Sequence, residues 1–183
     1  MEENMKPIIQ SKNDISESHN GLGFLNDCIS CIVSEELNGM MELELVYPIE
    51  GVLSEHLINE NVLKVKANEE QAPQLFRIYN ITKNTEPDRI NVQAKSITHD
   101  LEKCFIEKLE IKDSSGMQAM KALMELSNPK HKFQLSSSKT NKGSTLLERK
   151  NVLECIAGTE GSILQKWQGE LTRDNYSISL DSK

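Results

Sequence analysis

The chain has 183 residues, which is enough for one ordinary domain or for one domain and a smaller companion. Its formal charge of −7 at pH 7 and its lack of a long Lys/Arg cluster exclude the basic surface of a general nucleic-acid binder. No apolar run approaches the roughly 20 residues of a membrane-spanning helix, and the acidic N-terminus is not a secretory signal. We therefore expect a soluble chain that is made in the cytoplasm.

The first half of the chain has the pattern of short antiparallel strands. From Met41 to Tyr47, apolar and mostly acidic residues alternate, which is typical of a strand with one buried face. Asn38-Gly39 precedes this segment and favours a tight hairpin turn. The pattern predicts five closely spaced strands, which indicate a small antiparallel barrel or sandwich; they cover residues 28–35, 40–47, 62–66, 75–82 and 90–95.

The periodicity changes after Lys95. Ile97, Leu101 and Phe105 recur every fourth residue, which predicts a helix. The sequence Asp113-Ser-Ser-Gly is expected to start another helix, which Asn128-Pro129 ends. That helix carries a methionine stripe, Met117, Met120 and Met124, for which core packing is favoured over an adaptable binding groove.

The last part of the chain mixes short helices and strands. Residues 133–137 alternate as a short strand, and residues 152–157 are predicted to be helical. Gly161-Ser162 is expected to open a helical turn that buries Trp167. Tyr176, Ile178 and Leu180 then alternate as a final strand, which pairs with an earlier sheet or begins a further domain.

Two cysteines have the spacing of a metal or redox pair. Cys28 and Cys31 are separated by two residues, but Cys104 and Cys155 are solitary, so the second half of a zinc site is missing. Residues three apart on a strand face opposite sides, so the pair converges only if the strand bends. We expect structural core cysteines, with a metal or redox pair as the alternative.

Other candidate catalytic groups have ordinary explanations. His99-Asp100 lacks a nucleophile in a recognisable motif, and a surface or capping role is expected for both residues. Glu42 and Glu44 share a strand face, as two glycosidase carboxylates would, but the alternation makes them a solvated face. The glycines form no phosphate-binding loop. No catalytic, cofactor-binding or metal residue and no cofactor is assigned, and no enzymatic activity is expected.

Five segments, in order along the chain, resemble the N-terminal region of the prophage tail, or phage minor structural, protein family of siphophages. Each segment alone is a generic strand, so the specificity lies in their combination. The family is often labelled an endopeptidase tail. The segments are ELNGMMELELVYP (36–48), VLKV (62–65), QLFRIYNITK (74–83), VQAKSITHDL (92–101) and WQGELTRDNYSI (167–178).

The resemblance implies an α+β fold like that of phage baseplate hubs. An antiparallel β-barrel-like domain would cover residues 1–96, a smaller mixed helical domain 97–169, and the first strand of a second, truncated barrel-like domain 170–183. Hubs of this kind form trimers whose barrel-like domains surround a channel for DNA.

The function implied is structural. The chain would be a virion tail protein, made in the bacterial host cytoplasm, that joins the tail tube to the tail tip. Its expected partners are itself, as a homotrimer, and the distal tail protein and other baseplate proteins; DNA would pass through without specific binding. The family's hydrolase activity belongs to a C-terminal extension, so the endopeptidase label is not expected to apply here. A cell-wall endopeptidase and a host-surface binding module are the alternatives, although aromatic residues, at 4%, are sparse for a carbohydrate platform.

Overall fold

The computed structural model describes residues 6–16, 18–68 and 71–182. Its described residues lie mostly in antiparallel strands, with few helices. The chain divides into two compact units, Met1–Ile97 and Thr98–Lys183.

The first unit contains one seven-stranded antiparallel sheet and a single 3-10 turn at Ser54–His56 among its described residues. The strand order is β2-β1-β5-β6-β7-β4-β3, with β2 and β3 at the two ends. Since no hydrogen-bonded pairing joins these two ends in the described ranges, the closed barrel stays a prediction. The strands are β1 (Ile8–Gln10), β2 (Gly23–Phe24), β3 (Ser30–Glu35), β4 (Met41–Pro48), β5 (Val62–Val65), β6 (Gln74–Thr85) and β7 (Asp88–Ser96).

The five strands predicted from the alternating pattern are confirmed as β3 to β7. In β4 the buried residues are Met41, Leu43, Leu45 and Tyr47, each at most 1% exposed, so the alternation does mark the core-facing side. Glu42 is half-buried and Glu44 is exposed on the opposite face. The strands β1 and β2 extend the sheet beyond β5 and add Ile9 to the same core.

The predicted hairpin between β3 and β4 is confirmed, but its turn is longer than a two-residue loop. Of the Asn-Gly pair, only Asn38 has a positive φ, at 59°. The Glu36 N–H donates to the Met40 carbonyl oxygen at 2.9 Å, and the Gly39 N–H donates to the Glu36 carbonyl oxygen at 2.9 Å. These bonds hold residues 36–40 as a compact tip.

The described residues of the second unit form two smaller sheets. Strands β8 (Phe105–Ser114) and β10 (Gly143–Asn151) form an antiparallel pair, and the other sheet has the order β11-β12-β9. Strand β12 (Ser177–Asp181) is antiparallel to β11 (Glu170–Asp174) and parallel to β9 (Gln134–Ser137). The final strand therefore does pair with an earlier one, through contacts about 43 residues apart, such as Leu180 with Ser137. That residues 170–183 also begin a second barrel-like domain stays a prediction.

Three short helices start where capping residues stand. In α1 (Gly116–Leu126), Ser115 and Gln118 form a reciprocal capping box, as the predicted helix start at Asp113-Ser-Ser-Gly requires. Asn151 and Glu154 form the equivalent pair for α2 (Val152–Ile156), and the Ser162 side chain caps α3 (Ile163–Trp167). All three helices were expected from the sequence.

Two expectations about this unit are wrong. Ile97–Lys103 is a 3-10 helix that buries Ile97 and Leu101, but Phe105 begins β8 and is 48% exposed. The helical spacing of every fourth residue therefore ends at Leu101, and the residues that follow alternate as a strand. The methionine stripe is also broken, because Met120 is buried whereas Met117 is 46% exposed.

Candidate interaction surface

The two closely spaced cysteines lie on the same side of the first unit. Both are half-buried against its hydrophobic core, because Cys28 precedes β3 and the chain bends before the strand begins. The expectation of opposite faces holds for a straight strand and not for this bend. The Cys28 Sγ donates to the Ser30 carbonyl oxygen at 3.3 Å.

Neither thiol is set up to act as a nucleophile. Both are free, and burial raises the pKa of Cys31 to about 12. Burial also raises the pKa of Cys28. With raised pKa values, both thiols are protonated at neutral pH. The thiolate is the form that reacts and binds metals, so neither cysteine is prepared for that chemistry. Within the part of the chain that the structure describes, no three His, Cys, Asp or Glu side chains are grouped so that they could hold a metal ion.

The other candidate catalytic groups make surface contacts. The His99 Nδ1 lies 2.9 Å from the Glu102 carboxylate, and Asp100 lies 3.7 Å from the Lys103 ammonium, so the two neighbours each pair elsewhere. Glu42 and Glu44 lie near Tyr79. Tyr79 stands where the pairing of β6 with β7 shifts register, between Ile78 and Asn80. Desolvation and then these two carboxylates raise the pKa of the Tyr79 hydroxyl. The arrangement is a polar sheet face with one exposed aromatic ring.

A cleft of about 370 Å³ lies between the two ends of the first unit's sheet. Its apolar lining includes the buried Pro7 and Leu25 from one end and Ile29, which is 49% exposed, at the other, and the cysteine pair also lines it. Two exposed lysines, Lys6 and Lys66, stand at its edge. We call this the lysine cleft; its lining is Lys6, Pro7, Leu25, Asn26, Cys28, Ile29, Ser30, Cys31, Val65 and Lys66.

The opposite end of β3 carries a second feature. At the β3–β4 tip, residues 35–40, the side chains of Leu37 and Met40 are 70% and 39% exposed. Glu35 and Glu36 beside them are exposed carboxylates. An apolar residue at such an exposure between acidic neighbours and a fixed turn is a candidate contact residue. The sequence signal was present, because Leu37 stands directly before Asn38-Gly39, but periodicity alone assigns it no role.

The second unit has a larger surface cavity of about 500 Å³ lined by Glu107, Lys108, Leu126, Glu148 and Arg149. The charges in this lining balance, so it selects neither an anion nor a cation. Arg149 has a φ of 54° inside β10, where positive φ is uncommon for a residue with a side chain. Nothing else in the lining indicates a ligand.

Similarity to known proteins is found at the level of the fold. No family model and no curated protein sequence matches the chain. The solved structure of prophage tail protein gp18 from Listeria monocytogenes matches with a TM-score of 0.72 and 13% identity over 97% of this chain. A tail protein from Neisseria meningitidis matches 82% of this chain and 44% of its own, with a TM-score of 0.48 and 12% identity.

The chain therefore has a phage tail protein fold. It spans 50% of the length of the Listeria tail protein, so it corresponds to about half of that molecule. Within the described ranges, no helix is long and apolar enough to cross a membrane.

Proposed function

We propose that this chain is a structural component of a phage tail, and that it acts in the hub that joins the tail tube to the tail tip. The observation that carries the proposal is the match of nearly the whole chain, 97%, to the fold of a prophage tail protein. The ordered resemblance of five sequence segments to tail hub proteins supports the same assignment, and it arises from the residues rather than from the fold.

In this proposal the full-length protein forms a homotrimer and contacts the distal tail protein. The three copies surround a channel through which DNA passes. The formal charge of −7 suits such a channel, since an acidic lining repels the phosphate backbone and leaves DNA free to move.

We also propose that the chain has no catalytic activity of its own. The support is chemical: the closely spaced thiols are protonated at neutral pH, with a pKa for Cys31 of about 12. His99 and Asp100 each pair with a different surface charge. An endopeptidase would need an ionisable nucleophile or a metal centre.

Light scattering of the full-length protein, alone and mixed with the distal tail protein of the same phage, tests the assignment to the hub. We expect a trimer that binds the distal tail protein. A strictly monomeric protein that also fails to bind it would contradict the hub assignment. A cell-wall release assay on the same sample tests the absence of catalysis, and release of wall fragments would contradict it.

A further inference from the structure

We propose that the β3–β4 tip of one copy docks into the lysine cleft of a second copy. The two features lie at opposite ends of the same strand: Cys28 to Cys31 line the cleft where β3 begins, and Glu35 to Met40 form the tip where it ends. The inference deepens, and rests on, the proposed homotrimeric hub, because it names the surface through which copies meet.

A copy cannot fill its own cleft with its own tip. Strand β3 is six residues long, Ser30–Glu35, and a strand rises about 3.3 Å per residue, so the two features are held roughly 20 Å apart. The hydrogen bonds within residues 36–40 and the pairing of β3 with β4 prevent the tip from folding back. A second molecule is required.

The two surfaces are complementary in polarity. The tip presents the exposed side chains of Leu37 and Met40, and the cleft presents the side chain of Ile29, which is 49% exposed. With a volume of about 370 Å³, the cleft has space for on the order of ten water molecules. Replacing that water by the two apolar side chains removes apolar surface from solvent on both partners.

The two surfaces are also complementary in charge. Glu35 and Glu36 directly precede the exposed Leu37, and Lys6 and Lys66 stand at the edge of the cleft. In a chain with an excess of acidic residues, 28 Asp and Glu against 21 Lys and Arg, two lysines beside an apolar cleft are a local exception. Opposite charges at the rim of an apolar contact set the orientation of the partners more than the strength of binding.

A contact between two different patches is heterologous. It repeats from copy to copy, and it gives a closed ring when the rotation between copies closes. A symmetric dimer would instead need both tips to enter both clefts at the same time. A ring needs one such contact between each pair of neighbouring copies, which is the arrangement that the proposed homotrimer requires.

Sedimentation velocity over a concentration series tests the contact, using the chain and five variants at four exposed positions. We expect self-association of the chain that weakens about tenfold or more in Leu37→Ser, since an apolar side chain would no longer be buried. Glu36→Lys and Lys66→Glu are each expected to weaken it, and the double variant Glu36→Lys/Lys66→Glu to restore it. The matched control is Lys83→Glu near the exposed end of the β6–β7 hairpin, which is expected to change nothing.

The outcomes separate this inference from the proposed function. A chain that stays monomeric at every concentration overturns the inference. Self-association that is unchanged in Leu37→Ser and in both single charge reversals also overturns it, while the proposed hub then stands with another contact. Loss of distal tail protein binding in Leu37→Ser, with self-association unchanged, would assign the tip to that partner and overturn the inference. Circular dichroism of each variant checks that the fold is kept.

Discussion

Trp167 donates its indole N–H to the carbonyl oxygen of Ser114, 53 residues earlier in the chain, at 3.0 Å. Trp167 lies in α3 and is 1% exposed, and Ser114 is the last residue of β8. One side chain thus ties the helix to the end of a strand and fills the core between them. It is the only tryptophan in the sequence and the largest fully buried side chain among the described residues.

The indole hydrogen bond should contribute measurably to stability. Trp167→Phe keeps an aromatic ring but leaves the Ser114 carbonyl oxygen without this donor, at a typical cost of about 1–3 kcal/mol. We expect the free energy of unfolding to fall by that amount in urea denaturation. The control Leu146→Ala, at an exposed position of β10, should change it by less than about 0.5 kcal/mol. Equal stability of Trp167→Phe and the original chain would contradict the bond.

Gly143 should not tolerate a side chain. A Cβ at this position would lie 2.8 Å from the Cε2 atom of the Trp167 ring, which is too close for an ordinary contact. The ring is rigid and buried, so Gly143→Ala forces a shift and is expected to cost about 1–3 kcal/mol. Thermal unfolding compares this variant with Gly158→Ala. Space around Gly158 is open and its φ is 101°, so that variant reports backbone strain without a steric contact. A Gly143→Ala variant as stable as the original chain would contradict the packing.

Acid should destabilise the second unit through His131. Both ring nitrogens are buried, and neither has a hydrogen-bond partner among the described residues. Burial lowers the pKa of His131, and backbone groups around Phe133 offset this only in part. The folded protein therefore prefers the neutral ring, and its stability is lost as the pH falls below about 6.5, where the unfolded ring gains a proton.

The measurement is the melting temperature between about pH 7.5 and pH 5.5. We expect a fall in the original chain and a smaller one in His131→Gln. His56→Gln, at a half-buried position of the first unit, serves as the matched control and should keep the full fall. The same pH dependence in all three proteins would show that His131 is not the responsible group.

Cys31 should react slowly with alkylating agents in the folded state. With a pKa of about 12, roughly one thiol in ten thousand is ionised at pH ~8. Labelling should be about a thousandfold slower than in the unfolded chain, whose thiols have a pKa near 8.5. Peptide-resolved mass spectrometry after timed alkylation, with and without denaturant, measures both rates. Rapid labelling of folded Cys31 would instead indicate a reactive or metal-binding thiolate.

The sequence was informative where one local pattern decides the structure. Alternation of apolar residues from Met41 to Tyr47 identified both the strand and its buried face, and capping residues such as Ser115 located the helix starts. Five of the seven strands of the first unit, β3 to β7, follow from such signals, whereas β1, β2 and the strand order do not. These local signals involve only a few neighbouring residues, so they predict a strand or a helix start without knowledge of which distant segment pairs with it.

Other features depend on partners that are distant in the chain. The parallel pairing of Ile178 with Leu135 cannot be predicted from the sequence of either segment alone. Strand β10 was not expected from the sequence. Many of its residues are polar, and it forms a strand through its pairing with β8. Arg149, with a positive φ, also interrupts the alternation of side chains. The lysine cleft likewise forms only when Pro7 and Ile29, from different ends of a sheet, come together.

The most direct test of the central claim is the position of this protein in the virion. Antibodies raised against residues 6–182 would be applied to purified particles of the phage that encodes the chain, and gold labels would be located by electron microscopy. We predict labelling at the end of the tail, in intact particles or after mild disruption of the tip. Labelling confined to the capsid, or virions that contain none of the protein by mass spectrometry, would contradict the assignment as a tail component.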